Sequence, residues 1–294
     1  MPCFRHEAYV GAAVESVLAQ TFPDWELIAI DDASPDATLR VLRRFGDPRI
    51  RILHHEQNAG AHATINEGIG LARGDFVTIL NSDDLLAPTR FEGLLALHER
   101  TGADVLGTDL ELVDREARPM LDPKHYWLAW YAGLKAHLAT HGSIRRTLLN
   151  GNVFITTSNL LFRRAFFEAL GPFEPLRYTH DYEWLLRAVD RGHHVHFEPS
   201  QRTLSYRLHG ANTILEAPLG PNRETFELLM RYCHLLMREP EAAAHHEYAD
   251  HVGRIVSLIE HSHLAARGLR PKLRALDERL RTVLRGLVPM RRGH

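Results

Sequence analysis

The chain has 294 residues, of which 45% are hydrophobic and 24% charged, with a formal net charge of −2. Such a chain can bury the full core of an ordinary globular protein, and its balanced charge offers no field to recruit nucleic acid. Two distant cysteines, Cys3 and Cys233, make neither a disulfide framework nor a zinc motif and fit a reducing compartment. No apolar run reaches the ~20 residues that span a bilayer, and the opening residues lack an apolar leader. The expected location is therefore cytoplasmic. The 20 histidines, many in pairs such as His54-His55 and His193-His194, are expected to be mostly solvated.

Residues 8–20 are expected to form a helix, because Val10, Ala13, Val14, Val17 and Leu18 recur on one helical face. Phe22-Pro23-Asp24 ends it, and residues 25–30 form a strand running into Asp31-Asp32. Ser34-Pro35-Asp36 opens the next helix with a cap and a first-turn proline. A strand over 49–53, the turn Asn58-Ala59-Gly60, a helix ending near Ala72, a strand over 75–80 and a helix over 88–100 follow. This alternation predicts parallel βαβ units with helices on both faces of a sheet. Beyond Gly107 the pattern weakens, with a strand expected over 153–162 and a helix over 182–189. From Pro221 onward the chain reads as helical and increasingly Arg-rich. The expected division is a catalytic domain over 1–220 and a helical extension over 221–294.

The most informative tetrapeptide is Asn81-Ser82-Asp83-Asp84, at the end of the 75–80 strand. Carboxylates clustered at the carboxyl edge of an α/β sheet suit a hard divalent cation shared with substrate phosphates. The same residues equally make a strand-to-helix turn in which Ser82 or Asp84 caps the helix after Pro88.

In order and spacing, Ala8-Tyr9-Val10, Trp25-Glu26-Leu27 to Asp31-Asp32-Ala33-Ser34, Asn58-Ala59-Gly60, Asn81-Ser82-Asp83-Asp84, Gly171-Pro172-Phe173 and His180-Asp181-Tyr182-Glu183-Trp184 carry a resemblance. The chain resembles the inverting nucleotide-sugar glycosyltransferases of family 2 over residues 2–215. The resemblance implies an α/β, GT-A (Rossmann-like) fold with a mostly parallel sheet. It implies transfer of a sugar from a nucleotide diphosphate, most commonly a UDP-sugar, to an acceptor hydroxyl. That acceptor would be a sugar or lipid-linked glycan, as in cell-surface polysaccharide synthesis.

The resemblance also implies roles by position. Asp31 and Asp32 hydrogen-bond the nucleotide base or ribose, or else cap the following turn, and Asn58 lies in the neighbouring nucleotide-binding turn. Asn81-Ser82-Asp83 occupies the D-x-D position with Asn in place of the first Asp, which leaves Asp83 as the ligand of a divalent cation, Mn2+ or Mg2+. Asp181 matches the general base, with His180 in place of a Glu; a protonated His180 would lower the Asp181 pKa. The base is expected to face the cleft and to stay partly hydrated. His209 completes the metal shell or is a surface residue, and Arg207 holds the diphosphate as a bidentate donor.

Several departures accompany the match. Arg5 stands where Asn is common and Ile65 where Arg is common. Relatives begin with an apolar strand before the proline that matches Pro2, so a chain opening at Met1-Pro2 is expected to lack it and to start further upstream. Trp127, Trp130 and Tyr131 fall on the acceptor side and either stack on sugars or serve as core. Thr157-Ser158-Asn159 is expected to line the acceptor pocket. The basic, leucine-striped segment 270–294 suits peripheral contact with an anionic membrane or packing on its own domain. Asn81, Ile65 and the missing strand favour a degenerate relative that binds nucleotide sugar or a partner without turnover; the retained Asp83 and Asp181 oppose that reading. A sugar nucleotidyltransferase would need a Gly-rich phosphate loop, which the sequence lacks.

Overall fold

The computed structural model describes residues 1–217, 219–239 and 242–261. The basic segment expected over 270–294 lies outside them. The helical stripe seen in the sequence forms α1 (Val10–Leu18), which buries Val10, Ala13, Val14 and Val17. Three parallel strands, β1 (Pro2–Cys3), β2 (Leu27–Asp31) and β3 (Ile50–His54), pair in the order β1-β2-β3. All five residues of β2 are buried, as expected for a strand covered on both faces. The helices α2 (Thr38–Leu42) and α3 (Ala61–Leu71) complete this βαβ half. The first strand, expected to be missing, is present as two residues: Pro2 and Cys3 register with Ile30 and Asp31. The Met1 ammonium extends the ladder by donating to Ile28 O at 2.7 Å.

A second, mixed sheet has the order β4-β7-β6-β8-β5. Its strands are β4 (Phe76–Thr78), β5 (Leu85–Leu86), β6 (Val105–Val113), β7 (Leu161–Arg163) and β8 (Val195–Arg207). β6 and β8 are parallel, whereas β7 joins β4 and β6 antiparallel and β5 joins β8 antiparallel. The strand expected over 153–162 is mostly not one. Thr156 Oγ1 accepts from Ser158 N, and Asn159 Nδ2 donates to Thr108 O at 2.7 Å. Short polar side chains that bond nearby main chain compete with a ladder, and residues Thr157–Asn159 form a 3-10 turn instead.

Helices α4 (Arg90–Thr101), α5 (Tyr126–His141), α6 (Ile144–Asn150), α7 (Arg164–Leu170) and α8 (His180–Asp190) surround this sheet. Trp184 of α8 is fully buried among Phe162, Phe166, Phe167 and Phe173, and its indole N–H donates to Gly171 O at 3.0 Å. Tyr131 is a core residue rather than a sugar-stacking ring: it is buried and its hydroxyl donates to Asp109 at 2.8 Å. α9 (Gly220–Arg231) and α10 (Ala242–His261) add Phe226, Leu229, Tyr248 and Val252 to the same apolar cluster.

Gly107 on β6 sets how closely the 3-10 segment can approach the sheet. A Cβ there would lie 2.3 Å from Phe154 Cδ1 and 2.9 Å from Asn159 O. Gly107→Ala is expected to destabilise the protein by about 1–3 kcal/mol through overpacking, read as a lower urea midpoint with unchanged slope. An unshifted midpoint would mean that the Phe154 ring can move aside.

Candidate active site

The Asn81–Asp84 turn leaves β4, and Asn81 and one side of Asp84 are anchored by the Thr156–Ser158 segment. Asn81 Nδ2 donates to Thr156 Oγ1 at 2.9 Å, Thr157 Oγ1 donates to Asn81 Oδ1 at 3.0 Å, and Asn81 N donates to Ser158 Oγ at 2.9 Å. Ser158 Oγ in turn donates to Asp84 Oδ2 at 2.6 Å. Thr157-Ser158-Asn159, expected to line an acceptor pocket, is therefore buried scaffolding. Asp84 has no exposed surface. Burial, and then the Asp83 charge, push its carboxyl well above the ordinary value. The buried Arg90 guanidinium, whose charge Asp84 supports, donates to Ser158 O and Asn159 Oδ1, and to the Thr108 and Thr203 hydroxyls.

Asp83 points the other way. Burial opposes its charge, but the His209 hydrogen bond and the neighbouring imidazoles hold its carboxyl below the ordinary value. Its Oδ2 lies 3.0 Å from His209 Nε2, 3.3 Å from Asn212 Nδ2 and 3.7 Å from His6 Nε2. His209 is thus buried beside Asp83 and is not a surface residue. Ala211 N donates to His209 Nδ1 at 3.3 Å, which puts the ring proton on Nε2. Ligation by Nε2 would place that proton on Nδ1, where it would face the Ala211 N–H, so this contact would have to open. The donor set, one carboxylate oxygen and imidazole nitrogen, fits a divalent ion that accepts both, as Mn2+ does.

Arg207 lies 5.0 Å over the Tyr9 ring. Its Nε and Nη1 already donate to the main-chain oxygens of Asp83 and Arg115, at 2.8 and 2.7 Å. It therefore braces the Asp83 turn, and the two-pronged diphosphate clamp expected from the sequence is not its arrangement here.

The adjacent aspartates of β2 have separate fates. Asp31 is fully buried; its Oδ2 takes His54 Nδ1 at 2.9 Å, while its Oδ1 has no protein partner. Asp32 is spent within the protein. Its carboxylate accepts from Ala59 N at 2.8 Å and Gly60 N at 2.9 Å, and contacts His55 Nδ1 at 2.7 Å. Asn58 closes the same clamp by donating to Asp32 O at 3.0 Å. Both hold the entrance to α3 in place, close to the capping alternative.

Asp181 occupies the first turn of α8, where the helix start favours a negative charge. Its Oδ2 accepts from Asn152 Nδ2 at 2.9 Å. Contrary to expectation it is desolvated, only 6% exposed, and burial raises its pKa to about 7. His180 does not tune it. That ring packs edge-on against Phe173, and burial lowers its pKa to about 4, so it is neutral at neutral pH. The Tyr206 hydroxyl has its pKa raised by desolvation first and then by the charges of Asp84, Asp83 and Asp181. Asn152, Tyr206, Arg90 and His6 escaped the sequence reading; each lies outside any local motif, and only Gly151-Asn152, which breaks the helix before it, marked a turn.

A carboxyl with a raised folded pKa contributes stability that is complete below its unfolded value, near 3.8, and is lost as pH climbs through about 7. Asp181→Asn is therefore expected to match the parent at low pH and to exceed its stability at neutral pH, by at most about 4 kcal/mol. Denaturant melts of both proteins across this range measure the difference; parallel curves would show that Asp181 is hydrated.

The Glycosyl transferase family 2 model matches residues 1–171. The succinoglycan biosynthesis protein ExoO of Rhizobium meliloti (strain 1021) is 34% identical over 108 residues, 37% of this chain and 31% of that protein. The Escherichia coli UDP-Glc:alpha-D-GlcNAc-diphosphoundecaprenol beta-1,3-glucosyltransferase WfgD is 30% identical over 117 residues, 40% of this chain and 46% of that protein. These matches span less than half of either relative. S. aureus TarS 1-349 in complex with UDP-GlcNAc superposes with a TM-score of 0.60 at 16% identity, covering 97% of this chain and 89% of that one. Mannosyltransferase PcManGT from Pyrobaculum calidifontis, in complex with GDP-Man and Mn2+, does so with a TM-score of 0.57 at 13% identity, covering 97% and 81%. The two structures share the α/β fold expected from the sequence. With the family model covering 171 of its 294 residues, the chain belongs to glycosyl transferase family 2.

Proposed function

We propose that the protein is a metal-dependent, inverting glycosyltransferase that moves a sugar from a nucleoside diphosphate to an acceptor hydroxyl. The observation that carries this reading is that the segment from Asn152 to Ser158 is bonded to Asp181 at one end and, at the other, to Asp84 next to the His209-bonded Asp83. Asp83 and His209 hold the cation, and Asn81 and the Arg207-braced turn sit beside the diphosphate. A cation bound there supplies Lewis-acid stabilisation of the leaving diphosphate. The unpaired Asp31 Oδ1 accepts from the base or ribose, which a buried carboxylate oxygen without a partner is suited to do. Asp181 takes the acceptor proton as the new bond forms, leaving the sugar inverted. A pKa of about 7 places this base near half ionisation at neutral pH, close to the optimum for proton transfer.

UDP-GlcNAc in TarS and GDP-Man with Mn2+ in PcManGT support a nucleotide-sugar donor and a divalent cation for this fold. The succinoglycan biosynthesis role of ExoO supports an acceptor in cell-envelope polysaccharide synthesis. No helix among the described residues is long and apolar enough to cross a membrane.

The test is thermal stabilisation by a panel of nucleotide sugars with Mn2+, followed by transfer or hydrolysis assays. Asp181→Asn is expected to keep the stabilisation and lose ~10²–10⁴-fold in rate. The parent rate should rise with pH through about 7, and His180→Gln should leave that profile in place. A panel without any stabilising nucleotide sugar, or an undiminished Asp181→Asn rate, would overturn the proposal.

A further inference from the structure

We infer that His6 is a third protein ligand of the cation, making the site a one-carboxylate, two-imidazole set that selects Mn2+ or Co2+ over Mg2+. The inference rests on the proposed roles of Asp83 and His209 and adds a residue from the other end of the chain.

The main chain at His6 is held on three sides. His6 N donates to Thr38 Oγ1 at 2.9 Å, and His6 O accepts from Tyr9 N and Val10 N as the chain enters α1. Arg5, in the left-handed region at φ 58°, makes the turn after β1. The ring is directed onto the Asp83 turn, with Nδ1 2.8 Å from Ser82 Oγ and Nε2 3.7 Å from Asp83 Oδ2. That second distance exceeds a hydrogen bond. Donor atoms bound at ~2.1 Å and at right angles lie ~3 Å apart, so a shift of ~0.7 Å would bring the His6 ring onto the same ion as Asp83. His209 Nε2 lies 3.0 Å from the same oxygen, and the three donor atoms all fall within 4.8 Å of one another.

Metal-bound imidazoles normally give their second N–H to an acceptor, and Ser82 Oγ is placed to receive it from His6 Nδ1. Tyr9 stacks on His209 at 4.6 Å and meets His6 edge-on at 5.8 Å, which fixes the angle between the two imidazoles. Three protein donors leave the remaining positions of a six-coordinate ion for diphosphate oxygens and water. Imidazole nitrogens favour transition-metal dications, whereas Mg2+ keeps to oxygen. A second trio, His137, His141 and Glu247, differs in one decisive respect: Arg146 bonds both Glu247 oxygens at 2.9 Å, so a cation is already in place.

The test uses Mn2+ alone with the full chain. Pulsed electron paramagnetic resonance should detect two histidine nitrogens on Mn2+ in the parent and one in both His6→Ala and His6→Gln. Mn2+ affinity should fall at least about tenfold in both variants, with little change for Mg2+. One nitrogen in the parent, or an Mn2+ affinity that both folded variants retain, would overturn the inference, as would a parent that binds no Mn2+. Sugar transfer with a single nitrogen would spare the proposed function and sink His6. Two nitrogens without transfer would do the reverse.

Discussion

A carboxylate without any exposed surface, Asp84, accepts from the Ser158 hydroxyl and the Arg207 N–H, and the rest of the site depends on that arrangement. Removing a carboxylate from water costs several kcal/mol unless donors and counter-charge replace the lost hydration. Here the donors come from segments more than seventy residues away, and counter-charge comes from Arg207 and the buried Arg90, yet burial still leaves the Asp84 carboxyl well above its ordinary value. Satisfying Asp84 obliges residues Thr156–Asn159 to turn beside the sheet, and Asn152, at the start of the same segment, then reaches Asp181. Asp84, beside Asp83, and Asp181 are thereby linked by one stretch of buried chain.

The same accounting of hydrogen bonds separates residues that neighbour one another in sequence. Asp32 is consumed by two main-chain donors and His55, so its charge organises a loop. Asp31 keeps one oxygen unpaired inside the protein. An unpaired buried acceptor is costly in a protein without ligand and is relieved when a donor arrives, the behaviour expected of a binding residue. Asp83 and Asp84 divide in the same manner, one toward the imidazoles and the other into the scaffold. Asp181 makes a related compromise: desolvation weakens the native state at neutral pH and brings its proton affinity into the range useful to a base.

Much of the first sheet was legible because its signals are local. The α1 stripe follows from helical spacing, β2 from a continuous apolar run, and the placement of Asp181 at a helix start from His180-Asp181-Tyr182-Glu183. The second sheet was less legible. β5 and β7 are two and three residues long, too short to show any period, and both pair antiparallel with strands distant in sequence. The expected 153–162 strand failed because its polar side chains serve the Asn81 turn, a demand that no window around Thr156 reveals.

The order of residues alone determined the α/β class and the family resemblance, and through that resemblance it nominated Asp83 and Asp181, since periodicity, turn chemistry and motif spacing are properties of nearby residues. Only the tertiary structure decided which carboxylates remain available, that His180 is neutral, and that His6 meets Asp83 across seventy-seven positions of chain. Burial and hydrogen-bond partners arise from contacts between distant segments, and these set charge and orientation more strongly than residue type does.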